Sequence, residues 1–196
     1  MYKITVFPGD GIGKEVAEQA LKIIRKVGQK FHLVFEITPG LLGGASIDKH
    51  GIPMTEEALA LAKSADAVFL GAVGGPKWDS VESSKRPEKA LLGLRKGLDV
   101  FANLRPVHMY EELVHHSTLK PEIVRGIDFL ILRELVSGIY FGTPRGIQKD
   151  KNGEEVGINT EFYSTSQVKR IAEKAFEFAR KRRRQRKAGD LDHTGI

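Results

Sequence analysis

Residues 2–72 alternate short, β-rich apolar runs with stretches of helical spacing, and this alternation limits the possible folds more than any other feature of the chain. Residues 2–7 (YKITVF) end at Pro8-Gly9, which predicts a buried first strand and a tight turn. Over 13–28, Val16, Ala20, Ile23, Ile24 and Val27 recur at helical spacing and predict one apolar face. Residues 32–38 (HLVFEIT) predict a second strand, and Gly40, Gly43 and Gly44 a loop. Thr55 followed by Glu56 and Glu57 carries the signature of a helix N-cap, with acids set against the positive end of the helix dipole. Residues 66–72 (DAVFLGA) predict a third strand. Strands joined by helical crossovers pair in parallel, so a mostly parallel α/β sheet with helices on both faces is expected.

Beyond this unit a Gly/Pro-rich loop, GAVGGPKWDS, spans 71–80, and 87–97 predict a helix with Pro87 near its first turn. Residues 99–104 predict a strand that leads into Arg105-Pro106, the expected crossover between a first domain (1–104) and a second α/β domain (105–183). Residues 127–133 (IDFLILR) form a strongly apolar strand. Residues 139–161 have the pattern of a β-arm: a strand at IYFG, a polar turn at Lys151-Asn152-Gly153 and a return strand. The segment 164–182 predicts an amphipathic helix with Val168, Ile171, Ala172, Ala175, Phe176 and Ala179 on its apolar face. Residues 184–196 form a basic and polar tail with no strand pattern.

The absence of cysteine excludes a disulfide framework and a Cys-ligated zinc site, and fits a reducing compartment. The N-terminus lacks the pattern of a signal peptide, and no apolar run approaches the roughly 20 residues that span a bilayer. A soluble, cytoplasmic protein with no membrane partner is expected. The net charge of +6 is concentrated in RKRRRQRK at 180–187; without its seven basic residues the formal charge is −1. Nucleic-acid readers spread basic charge over a face, so no nucleic-acid partner is expected.

Gly9-Asp10-Gly11-Ile12-Gly13 follows the first strand, but Lys14 occupies the sixth position, so the dinucleotide fingerprint fails. What remains is a glycine-rich turn that admits close approach by a ligand or by another loop. Arg95 follows two leucines on a helix, Arg105 ends a strand before a proline, and Arg133 ends the most apolar strand. Strand ends gather ligand-contacting residues in α/β proteins, and guanidinium forks grip carboxylates bidentately. Surface ion pairs are the plainer explanation for each arginine alone. Tyr140, close to Arg133 in sequence, suits proton transfer beside a positive charge, or simply packs. His108, His115 and His116 lack metal-ligand spacing, and Asp190, Asp192 and His193 lie on the polar tail, so no metal ligand is assigned in this chain.

Taken in order, GDGIGKEV, LGAVGGPKW, RPEKALLGLRK, FANLRP and RELVSGIYFGTPRG resemble the isocitrate/isopropylmalate β-decarboxylating dehydrogenase family, most of all its isopropylmalate branch, over residues 1–183. The resemblance implies that Arg95, Arg105 and Arg133 bind malate carboxylates and that Tyr140 assists proton transfer around decarboxylation. It places Gly75, Pro76, Lys77 and Trp78 in a cofactor-binding segment, with Glu88 beside the nicotinamide of NAD. Leu91 and Leu92 would line the pocket for the substrate's alkyl group. Burying a third carboxylate among leucines is costly, whereas an isopropyl group gains roughly 1–3 kcal/mol there. The implied reaction is oxidative decarboxylation of 3-isopropylmalate, a step of leucine biosynthesis. Hydride passes to NAD⁺, and Mg²⁺ or Mn²⁺ polarises the C2 oxygen. A homodimer with interlocking arms at 139–161 is implied as well. The family's metal-binding aspartates, a catalytic lysine and the adenine-binding loop come from a second half that this sequence does not match. The chain is therefore expected to be a truncated or frameshifted N-terminal half, poorly stable and inactive alone. The alternatives are a non-catalytic remnant, a subunit that pairs with a full-length homologue, or a dehydrogenase for homoisocitrate, tartrate or isocitrate.

Overall fold

The structure is a computed structural model that describes residues 1–182. The tail 184–196, with Asp190, Asp192 and His193, and the basic run beyond Arg182 lie outside the described residues. The chain divides into two compact units, one covering Met1–Asp99 and the other starting at Val100.

The first unit runs β1 (Tyr2–Gly9), α1 (Gly13–Phe31), β2 (Phe35–Pro39), α2 (Gly44–His50), α3 (Glu56–Lys63), β3 (Ala67–Ala72) and α4 (Glu88–Gly97). Its sheet has the order β2-β1-β3, all parallel. The chain steps from β1 to β2 in one direction and from β2 past β1 to β3 in the other. Right-handed crossovers then require helices on opposite faces. Accordingly α1 packs on β1 and β3, while the Thr5 hydroxyl donates to the Leu61 carbonyl of α3 on the other side (3.1 Å). Thr5, Val6 and Phe7 are all buried, so β1 is covered on both faces. The core gathers Phe7, Leu42, Ala58, Ala62, Ala90 and Leu94.

Four local expectations change. β1 continues through Pro8 and Gly9, because Gly9 pairs with Ala72. α1 runs to Phe31 and ends on His32 in the left-handed conformation (φ 54°), so the second strand starts at Phe35 rather than at 32. The buried residues of α1 are Gly13, Ala17 and Gly28, whereas Val16, Ile23 and Val27 are exposed. A Cβ on Gly13 would lie 2.6 Å from the Ala72 nitrogen, so the helix start sits too close to β3 for larger residues. α2 begins inside the expected glycine loop, at Gly44. Thr55 caps α3 as expected, accepting from the Ala58 N–H (3.1 Å).

The second unit contains β4 (Ala102–His108), α5 (Pro121–Val124), β5 (Asp128–Glu134), β6 (Arg145–Lys149), β7 (Glu155–Asn159) and α6 (Thr165–Lys181). β4 and β5 pair antiparallel, as do β6 and β7. Arg105 and Pro106 lie in the middle of β4 rather than after a strand. Gly138–Tyr140 is a 3₁₀ turn rather than a strand, and the hairpin begins only at Arg145. Its turn is organised by Asp150, whose Oδ1 accepts from the Asn152 and Glu154 N–H groups. α6 starts with a reciprocal capping box between Ser164 and Gln167. Two ion pairs lay α6 along β5: Arg170 with Glu134 (3.1 Å), and Arg182, just past the helix end, with Asp128. The spacing matches, since twelve helical residues rise about 18 Å and six strand residues about 20 Å. Among the described residues no helix is long and apolar enough to cross a membrane.

Candidate functional site

In the first unit, Glu88, Leu91, Leu92 and Arg95 fall at i, i+3, i+4 and i+7 along α4, so they share one face of the helix. Ala90 and Leu94, on the far side, are buried in the core and fix the rotation of the helix. Glu88 is exposed, and Leu91, Leu92 and Arg95 are half-buried. One stripe, about 10 Å long, thus carries a carboxylate, two leucyl side chains and a guanidinium. It can hold an alkyl group next to an anion.

The loop after β3 approaches the start of this stripe. Gly74 has φ +97°, and a Cβ there would sit 2.6 Å from Glu88 Oε1. Its backbone N–H donates to Asp10 Oδ2 (2.8 Å). Asp10 is 2% exposed and also accepts from the N–H groups of Gly44 and Ala45 (2.7 Å each). Pro76–Trp78 then form a 3₁₀ turn. Trp78 Nε1 donates to Asp48 Oδ1 (3.1 Å) and Lys77 Nζ to Asp48 Oδ2 (2.6 Å). The Lys77 hydrogen bond holds the Asp48 carboxyl below its usual range, and the Trp78 bond acts in the same direction. The Trp78 indole lies against Gly44, where any Cβ would strike the ring.

The second unit carries the other predicted residues. Arg133 pairs opposite Asn103, and Arg105 opposite Ile131. Arg105 and Arg133 are therefore diagonal neighbours on one face of the ladder, roughly 7–8 Å apart at the backbone and somewhat closer at Cβ. Asn103 Oδ1 accepts from Arg105 Nε (2.9 Å), which steadies that side chain. The guanidinium of Arg133 lies 5.6 Å from the Tyr140 ring centroid. Tyr140 is 51% exposed. Its turn is held from behind, where Gly138 N–H donates to the Phe162 carbonyl (2.9 Å) and Tyr163 Oη abuts Gly138. Burial pushes the Tyr163 phenol above its usual value, and the charge of Glu161 adds to the shift. Two guanidinium groups on one sheet face, with an exposed phenol beside one of them, can grip a carboxylate and move a proton next to it.

Asp48, Asn103 and Tyr163 are site-supporting residues that sequence reasoning does not single out, and it takes Asp10 only as part of a glycine-rich turn. A short acid between glycines, as in Gly9-Asp10-Gly11, is the signal that marks a backbone-binding carboxylate. Asp48 carries no such signal, because its partners lie about thirty residues away. In the first turn, Gly9 and Gly13 make room for the end of β3, since a Cβ on either would collide with Ala72, whereas Gly11 faces open space. Among the described residues, no group of three or more His, Asp or Glu side chains is placed to hold a metal ion.

Residues 3–188 match the model of a family described as isocitrate/isopropylmalate dehydrogenase. Relatives named 3-isopropylmalate dehydrogenase include those of Pelagibacter ubique, 56% identical over 180 residues, and Hahella chejuensis, 54% identical over 180 residues. Each match covers 92% of this chain, but 49% and 50% of the respective relative. The chain thus spans about half the length of the curated relatives it matches. Among solved structures, the isocitrate dehydrogenase of Methylococcus capsulatus aligns with a TM-score of 0.72 at 24% identity, covering 92% of this chain and 48% of the other. At that identity the likeness concerns the fold alone. A β-decarboxylating dehydrogenase of Thermococcus kodakarensis aligns with a TM-score of 0.64 at 29% identity, covering 93% and 46%.

Proposed function

The chain belongs to the isocitrate/isopropylmalate dehydrogenase family, and from that membership we propose that it supplies the carboxylate-gripping part of a 3-isopropylmalate dehydrogenase. The observation that carries this reading is the shared sheet face of Arg105 and Arg133, with Tyr140 against the Arg133 guanidinium. In the proposed enzyme, which oxidatively decarboxylates 3-isopropylmalate with NAD⁺, Arg95, Arg105 and Arg133 bind substrate carboxylates. Tyr140 handles a proton around decarboxylation. Leu91 and Leu92, on one face of α4 with Arg95, receive the isopropyl group. This favours 3-isopropylmalate over isocitrate, whose third carboxylate would meet two leucines.

NAD⁺ is assigned to the segment Gly75–Trp78 together with Glu88. Gly74 and Gly75 leave the backbone at the start of that segment free of side chains, and Glu88 projects from α4 beside it. NAD⁺ supplies the hydride acceptor when bound. The divalent cation expected of the family has no ligand set among the described residues, and no step here passes through it. The complete enzyme is proposed to be a cytoplasmic homodimer of leucine biosynthesis. Ile147 on the β6–β7 hairpin is 77% exposed, which favours a second reading in which the chain pairs through that hairpin with a full-length homologue. Co-purification with such a homologue, abolished by Ile147→Asp, is its signature.

The main reading is tested by giving the purified 196-residue chain 3-isopropylmalate, NAD⁺ and Mg²⁺. Saturable binding of 3-isopropylmalate without turnover is expected, weakened by Arg105→Ala and by Arg133→Ala. Turnover near that of a complete relative would overturn the assignment of only part of a site. Equal binding by the wild type and both variants would overturn the carboxylate grip.

A further inference from the structure

The segment Gly74–Trp78 is held at both ends by carboxylates tied to the same short helix. Asp10 accepts the Gly74 N–H at one end, together with the N–H groups of Gly44 and Ala45 at the start of α2. Asp48, on α2, takes Lys77 and Trp78 at the other end, one on each oxygen. We propose that Asp48 is a positioning residue for this segment: it turns the Lys77 and Trp78 side chains onto α2, so that the segment meets its ligand with the backbone of Gly74–Pro76 and with Glu88. The inference rests on the assignment of this segment to NAD⁺ under Proposed function, and it removes Lys77 and Trp78 from direct contact with the cofactor.

The Lys77–Asp48 pair is largely exposed, and an isolated pair of that kind contributes little. Here the second oxygen of the same carboxylate receives the indole N–H, and the ring has a seat on Gly44. The Lys77 ammonium also lies 5.2 Å from the indole centroid. The two side chains therefore share one anchor and one seat, and removing the anchor releases both. Asp10 serves a different purpose. It is buried, and replacing it would strand three backbone N–H groups, so its loss is felt in folding. Asp48 is exposed on α2, where the position of the segment can change without disturbing the core.

Trp78 is the only tryptophan of the chain, so its fluorescence reports the segment alone. Asp48→Ala removes both contacts; Asp48→Asn keeps an acceptor for the indole N–H and loses the charge facing Lys77. Asp48→Ala is expected to red-shift the emission, to increase acrylamide quenching, and to weaken NAD⁺ binding by about tenfold, as loss of a supporting contact does in other sites. Asp48→Asn should fall between Asp48→Ala and the wild type. The thermal midpoint should change little. Unchanged emission in Asp48→Ala, or a lowered midpoint with emission and NAD⁺ affinity intact, overturns the proposal. Absence of NAD⁺ binding by the wild-type chain overturns the cofactor assignment and the ligand named here; the emission comparison still decides whether Asp48 holds the segment.

Discussion

The Arg133 guanidinium stands 5.6 Å from the ring centroid of Tyr140, a cation–π contact that at an exposed site contributes about 0.5–1 kcal/mol. The contact aligns two groups that the proposed reaction uses in sequence, one for holding a carboxylate and one for a proton. Tyr140→Phe keeps the ring and removes only the hydroxyl. Its affinity for 3-isopropylmalate should stay within about twofold of the wild type. Arg133→Ala should lose about tenfold or more, because a charge-assisted contact to the carboxylate is gone. Calorimetric titration of the two variants separates grip from proton transfer; equal losses would contradict this division of labour.

Gly138 is required by the turn that carries Tyr140. It has φ +75°, and a Cβ there would run into Tyr163 Oη. Gly138→Ala should cost about 1–3 kcal/mol through backbone strain and displacement of Tyr163, and Tyr163→Phe in that background should restore part of the loss. Urea unfolding of the wild type and the two variants checks this.

Burial raises the Tyr163 phenol, and a raised value means that the folded state favours the neutral form. Its contribution is complete below the unfolded tyrosine value and is lost as pH rises through the folded value. Tyr163→Phe should therefore remove part of the alkaline loss of stability, measured by thermal unfolding across that range. An alkaline profile identical to the wild type would rule out the contribution.

The Glu134 side chain is 8% exposed and binds Arg170 as well as the Val136 N–H (2.9 Å). Arg170 in turn lies 4.4 Å from the centroid of Phe101. Glu134→Ala removes the carboxylate that faces a half-buried guanidinium and accepts the Val136 N–H, so a loss of about 2 kcal/mol is expected, below the value for a fully buried pair. In the double variant Glu134→Ala, Arg170→Met, part of this should return. Denaturant midpoints that add without recovery would show the pair to be uncoupled.

On α6, hydrogen bonds from Lys174 and Lys181 hold the Glu177 carboxyl down to about 2. A depressed value means that its contribution is present above the unfolded glutamate value and is lost as pH falls towards 2. Lys174→Gln should move the Glu177 titration upward, which NMR of the carboxyl carbon reads directly. A titration unmoved by that substitution would show that Lys174 does not hold the charge.

Much of the molecule was legible in the residues because local patterns already encode it. The β-α-β-α-β alternation, the Thr55 cap, the turn near Asn152 and the amphipathic α6 each depend on neighbours within a few positions. The shared face of Glu88, Leu91, Leu92 and Arg95 also follows from helical spacing alone. Local patterns failed where distant chain segments compete. The expected apolar face of α1 is mostly exposed because small residues dock closer to the sheet. Arg105 lies inside a strand because β5 pairs along the whole of β4.

The sequence by itself determined the family, through ordered motifs that resemble it, and most of the elements, through local spacing. Only the tertiary structure decided which residues act on each other. It set Arg105 and Arg133 diagonal on one ladder, stacked Arg133 on Tyr140, and turned Lys77 and Trp78 onto Asp48. β4 and β5 are joined by a long connection, so no tight turn sets their register, and the other contacts reach across tens of residues, beyond what any local stretch of sequence encodes.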